Sequence, residues 1–153
     1  MELVRWRSFH AQYPHEHAIL VAMPHATGPF EVKLTPQAPE AESPALGRMK
    51  LDKQFHGELE ATSQGQMLAH STTTKGSAGY VALEVVSGTL GGRRGTFVLQ
   101  HNGTMNRGEA QLTVTVVPDS GADELRGLSG IMKIRIEPGG KHFYDFDYEI
   151  ADS

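Results

Sequence analysis

Residues 88–105 read GTLGGRRGTFVLQHNGTM, a glycine- and arginine-rich segment between two apolar runs. A phosphate-binding loop needs a strand before its glycines and a helix after them, so that the helix N-terminal amides face the anion. Here TFVLQHNG follows, rich in β-branched and aromatic residues, and no Lys-Ser/Thr pair succeeds the last glycine. The segment therefore reads as a hairpin tip. Arg93 and Arg94 are expected at the solvated turn, with TFVLQHN as the returning strand and Asn102-Gly103 as the next turn.

The hairpin implies a register. With an even-length loop centred between Gly92 and Arg93, Val86 is expected opposite Leu99, Glu84 opposite His101 and Tyr80 opposite Met105. Side chains alternate between faces along a strand. One face then carries Tyr80, Ala82, Glu84, Val86, Phe97, Leu99, His101 and Met105, and the other carries Val81, Leu83, Val85, Val98, Gln100 and Asn102. If the first face points inward, a carboxylate and an imidazole meet in apolar surroundings. Burial raises a carboxyl pKa and a neighbouring cation lowers it, and such a pair suits general acid–base chemistry. The alternative is a buried hydrogen bond that only fixes register. On the outward face, Val81, Leu83 and Val85 form an apolar stripe, which points to a homodimer or other homo-oligomer.

The same pattern extends over most of the chain. Runs rich in Val, Thr, Phe, Tyr and Leu at about 28–34, 49–56, 64–74, 78–90, 95–105, 110–117, 128–137 and 141–150 alternate with turn residues. No helical stripe separates them, so neighbours must be antiparallel. The expectation is one all-β domain over 26–153, a closed meander barrel of about eight strands, preceded by an arm at 1–25. TPQAPEAESPALG (35–47) reads as a proline-rich connection. GELEATSQG, GTLGGRRG and DELRGLSG form a weak repeat, whose Leu59, Leu90 and Leu125 are expected to plug one barrel end. In KHFYDFDYEI (141–150), His142, Tyr144, Phe146, Tyr148 and Ile150 face inward, and Asp145, Asp147 and Glu149 face solvent. In LDKQF (51–55), Lys53 falls on the apolar face, either snorkelling at a barrel mouth or meeting an anionic ligand.

Composition narrows the function classes. The chain has 14 basic and 18 acidic residues, a net charge of −4, and no basic face for nucleic acid. It has no cysteine, hence no disulfide or thiolate chemistry. The apolar run AILVAM (18–23) is far shorter than the ~20 residues that span a bilayer, and a cytoplasmic, soluble protein is expected. His10, His15 and His17 form H-x4-H-x-H, which is either a metal-binding cluster or part of a lightly packed arm. No metal site or cofactor is assigned, because no nucleotide, zinc-protease or serine-hydrolase motif is present.

GPFEVKLTPQ, LDKQFHGELEATSQG, GYVALEVVSGTLGGRRGTFVLQHNGTM and VVPDSGADELRGLSG together resemble a bacterial domain-of-unknown-function family of small β-barrels, grouped with allene oxide cyclase-like barrels. The resemblance spans roughly 26–150. It implies a closed, eight-stranded, mostly antiparallel barrel and no known activity. The position of Val85 is often basic in that family, which implies that it faces outward. The wider superfamily includes cofactor-free cyclases and isomerases acting on apolar substrates, but no catalytic residue of theirs has a counterpart here.

Three functions follow as expectations. A binding barrel would hold a small apolar or amphipathic molecule among Tyr80, Phe97, Leu99, Tyr144, Phe146 and Tyr148. A cofactor-free isomerase or cyclase would use Glu84 and His101 as catalytic acid and base. A barrel filled by its own side chains would act through its oligomer surface.

Overall fold

The structure, a computed structural model, describes residues 23–152. Nine strands follow in order: β1 His25–Gln37, β2 Gly47–Phe55, β3 Leu59–Ser71, β4 Ala78–Leu90, β5 Arg93–Asn106, β6 Glu109–Val116, β7 Ala122–Asp123, β8 Leu128–Ile136 and β9 His142–Ile150. No helix occurs among the described residues. Each long strand pairs antiparallel with the next, and β9 pairs with β1 from Phe30↔His142 to His25↔Asp147. Eight strands thus close a barrel, and the short β7 caps β5 at Gly95 and Thr96. Closure removes the open sheet edges that an all-β protein must otherwise protect. The expected H-x4-H-x-H cluster and nearly all of the arm 1–25 lie outside the described residues.

The central hairpin differs from the expected register by two residues. Its turn is Gly91-Gly92, both at positive φ (55° and 83°), and Leu90 pairs with Arg93. Such a two-residue turn matches the twist of the flanking strands and needs residues that tolerate positive φ at both positions. The two glycines therefore take the turn, and the arginines begin β5. Glu84 is opposite Leu99, His101 opposite Ala82, and Tyr80 opposite Gly103. A two-residue shift preserves which face each side chain occupies, so the inward and outward sets stand.

Asn102-Gly103 is likewise not a turn. β5 continues to Asn106, and the chain reverses at Arg107-Gly108, both at positive φ. Gly103 lies inside β5 because the ring of Tyr80 covers it, leaving no room for a Cβ. Pro36 also belongs to a strand, pairing with Met49 near the end of β1.

Alternation along the strands builds the core. Phe55, Val86, Phe97, Leu99, Val114, Tyr144 and Phe146 are each at most 1% exposed. Phe97 stacks on Phe146 at 6.0 Å between ring centroids, and Phe55 meets Tyr144 edge-on at 5.7 Å. Leu59, Leu90 and Leu125 are buried below these rings, as the repeat implies. No helix among the described residues is long and apolar enough to cross a membrane.

Candidate functional site

Midway along the lumen the apolar core gives way to a polar cluster. Strands β2, β3, β4 and β5 each place one inward polar residue there: Lys53, Ser63, Glu84 and His101, all buried. Lys53 Nζ lies 2.8 Å from Glu84 Oε2, and His101 Nε2 lies 3.6 Å from the same oxygen. Glu84 and His101 are diagonal neighbours on adjacent strands, not directly opposed. Lys53 is the partner the sequence reading did not assign: it neither snorkels to water nor waits unpaired. Its aliphatic stem is covered by the core, and its ammonium also lies 5.3 Å from the Phe30 ring centroid and 5.8 Å from that of Phe55. Gly65 sits directly across from Glu84, and a Cβ there would stand 2.7 Å from the Glu84 Cβ.

Burial acts to raise the Glu84 carboxyl, but the imidazole of His101 and the ammonium of Lys53 together outweigh it, and the net pKa lies below the ordinary carboxylate value. Of the two partners, Lys53 is within hydrogen-bonding distance, whereas His101 is a looser neighbour. The Lys53 contact is not well aligned as a hydrogen bond. Both Glu84 oxygens, Ser63 Oγ and His101 Nε2 are buried without an aligned hydrogen-bond partner. Buried polar atoms are normally paired, and a group of four without aligned partners at one spot calls for an explanation.

Beyond the cluster the lumen opens. The next inward positions are apolar but incompletely covered. Tyr80, Met49 and Met67 are half-buried, and Leu34, Met105, Leu112 and Ile136 are exposed. One wall is also splayed. The β6–β8 ladder consists of Val114↔Met132 and Thr115↔Ile131, so Glu109–Thr113 and Lys133–Ile136 run on without pairing to each other. The Tyr80 ring sits 6.3 Å from the His101 ring, and burial, then the Glu84 charge, raise its phenol pKa.

The six expected lining residues divide between two places. Tyr80 and Leu99 adjoin the polar cluster, Tyr80 beside the His101 ring and Leu99 directly opposite Glu84. Phe97, Tyr144, Phe146 and Tyr148 pack together in the closed half. The Tyr144 hydroxyl is fully engaged there, accepting from the Leu59 N–H at 3.0 Å and donating to the His56 carbonyl at 2.7 Å. Gly28 and Gly57 leave space for that hydroxyl. Among the described residues, no group of three or more His, Asp or Glu side chains is arranged to hold a metal ion.

A sequence profile described as "Protein of unknown function (DUF3224)" matches residues 26–148, nearly the whole barrel. The chain belongs to the DUF3224 family. A solved member of that family from Shewanella oneidensis MR-1, itself described as a protein with unknown function, is 54% identical. Its alignment covers 86% of this chain and 100% of that one, with a TM-score of 0.81. No curated protein matches the chain.

Proposed function

We propose that this DUF3224 barrel binds a small amphipathic molecule, with its apolar part in the open mouth and a polar head against Glu84, Ser63 and His101. The observation that carries this reading is the group of buried polar atoms without aligned partners beneath an incompletely covered apolar mouth. Ligand sites commonly combine an apolar lining with a few convergent polar groups. A head bearing a hydroxyl, amide or amine would donate to the free carboxylate oxygen and engage Ser63 Oγ. The splayed β6–β8 wall supplies a way in. Thioethers at Met49, Met67 and Met105 make the lining adaptable in shape.

The acid–base reading is the second candidate, supported by the carboxylate–imidazole neighbours. A general base or acid works best with a pKa near the operating pH, and the lowered Glu84 carboxyl points the other way. Glu84 is better suited to accept a hydrogen bond than to exchange a proton. Kinship with allene oxide cyclase-like barrels would add only analogy at the level of fold.

The test is titration of the folded protein with N-phenyl-1-naphthylamine, a neutral fluorescent probe with an apolar body and one N–H donor, followed by its displacement with a small-molecule library. Saturable binding that is weakened by Leu112→Arg at the mouth, with the melting temperature unchanged, supports the reading. Binding unaffected by Leu112→Arg and by Glu84→Gln, or no binding to the folded state, rejects it. For any displacing compound that is also turned over, loss of turnover with retained affinity in Glu84→Gln would restore the acid–base reading.

A further inference from the structure

The outer surface of the barrel is divided as sharply as its lumen. Around β4 the outward positions are Val81, Leu83 and Val85, which are 52%, 53% and 55% exposed. Leu68 of β3 lies directly beside Val81 and is also exposed. On either side the ridge is bordered by amides: Gln64 and Gln66 on β3, Gln100 and Asn102 on β5. All four are exposed. The nearest charged side chains on the outward positions of these strands lie toward their ends, Glu60 on β3 and Arg94 on β5. The opposite wall is different. Strands β1, β2, β8 and β9 present Glu31, Lys33, Asp52, Arg135, Asp145 and Asp147 outward, and Arg135 and Asp145 approach to 3.9 Å.

We propose that the β3–β4–β5 wall is the interface of a homodimer, with the ridge of one copy packed on the ridge of the other about a two-fold axis near Leu83. Three observations select a second copy as the occupant. The ridge is apolar and contiguous on one strand, which is the arrangement that marks contact surfaces. Its border is uncharged on both sides, so two copies of a chain with net charge −4 meet here without bringing like charges together. Finally, the wall is self-complementary. A two-fold axis lying in the interface, along β4 or across it, places β4 on β4 and an amide row on an amide row. A closed isologous contact requires that match. Glutamine and asparagine side chains each carry donor and acceptor, so the facing rows can hydrogen-bond to one another without a separate partner evolving the complement. Two such faces packed ridge to ridge form a sheet sandwich, about 10 Å between backbones.

Light scattering on the size-exclusion peak of the full chain, from low to high micromolar concentration, tests the proposal. A dimer mass is expected. Leu83→Asp should convert it to a monomer, because two carboxylates would face each other at the axis, and its far-ultraviolet circular dichroism should be unchanged. Ile131→Asp, at an equally exposed outward apolar position on β8 of the opposite wall, should leave the dimer intact. Mixing Leu83→Asp with Leu83→Lys should restore a dimer containing one copy of each. A monomeric wild-type chain at high micromolar concentration overturns the proposal, as does a dimer that survives Leu83→Asp. Neither result bears on the lumen site, which lies wholly within one chain.

Discussion

Two tyrosines on inward strand positions show how differently the two ends of the lumen are built. Tyr144 is fully buried, its ring packed on Phe55 and its hydroxyl bonded to backbone on both sides. Tyr80 is half-buried over Gly103, at the border between the polar cluster and the open mouth. Both lie on strands with the same alternation, and both have phenols raised mainly by burial. The closed half is finished by the protein's own atoms. The open half stops at Lys53, Ser63, Glu84 and His101 and leaves apolar side chains uncovered above them. In a fully closed architecture, an unfinished layer is where a ligand has room to contribute contacts.

The contrast predicts a graded response to substitution. Phe146→Ala in the closed half removes a buried ring from a packed layer and should cost about 3–5 kcal/mol in urea unfolding. At the boundary, Lys53→Met should also be severe, up to about 3–5 kcal/mol, because it strands a buried carboxylate. Combining it with Glu84→Leu should recover most of that loss. If the single and double variants are equally unstable, the ion pair is not what links the two positions.

Smaller effects follow at the tyrosines and in acid. Tyr144→Phe leaves the Leu59 amide and the His56 carbonyl without their hydroxyl partner and should cost about 1–3 kcal/mol. Tyr80→Phe should change stability by no more than about 0.5 kcal/mol, because Tyr80 is only half-buried and loss of its hydroxyl strands no buried backbone group. Equal costs at the two positions would erase the distinction between the ends. For pH, the folded-state pKa of Glu84 lies below its unfolded value. Its stabilising contribution is therefore present above the ordinary glutamate pKa of about 4.3 and is lost as pH falls from there through the lowered folded value. Unfolding free energies measured down this range should fall more steeply for the wild type than for Lys53→Met/Glu84→Leu.

Much of this was legible in the sequence because strand alternation has a period of two and barrel walls have an inside and an outside. The inward assignments of Glu84, His101, Tyr144 and Phe146, and the outward ones of Val81 and Leu83, needed nothing more. The turn was misplaced because glycine-glycine and arginine-arginine adjoin, and the choice between them depends on φ at two residues. Gly103 looked like a turn residue because asparagine-glycine usually marks one. Its actual role, lying under the Tyr80 ring, depends on a residue in the neighbouring strand. Lys53 was visible as a cation on an apolar face, but its partner is thirty-one positions away on β4, and no local pattern joins them.

The sequence by itself determined an all-β chain, its strands and their two faces, with the burial of one carboxylate and one imidazole following once the hairpin face that carries them turns inward. Local sterics and hydrophobic alternation are sufficient for those. Tertiary structure alone decided the register in which β9 closes on β1, that Lys53 meets Glu84, and that the β6–β8 wall stops pairing after two residue pairs. These features arise from the ring of strands as a whole. Closing it sets which inward residues share a layer, and a layer is filled or left open by side chains from strands far apart in the chain.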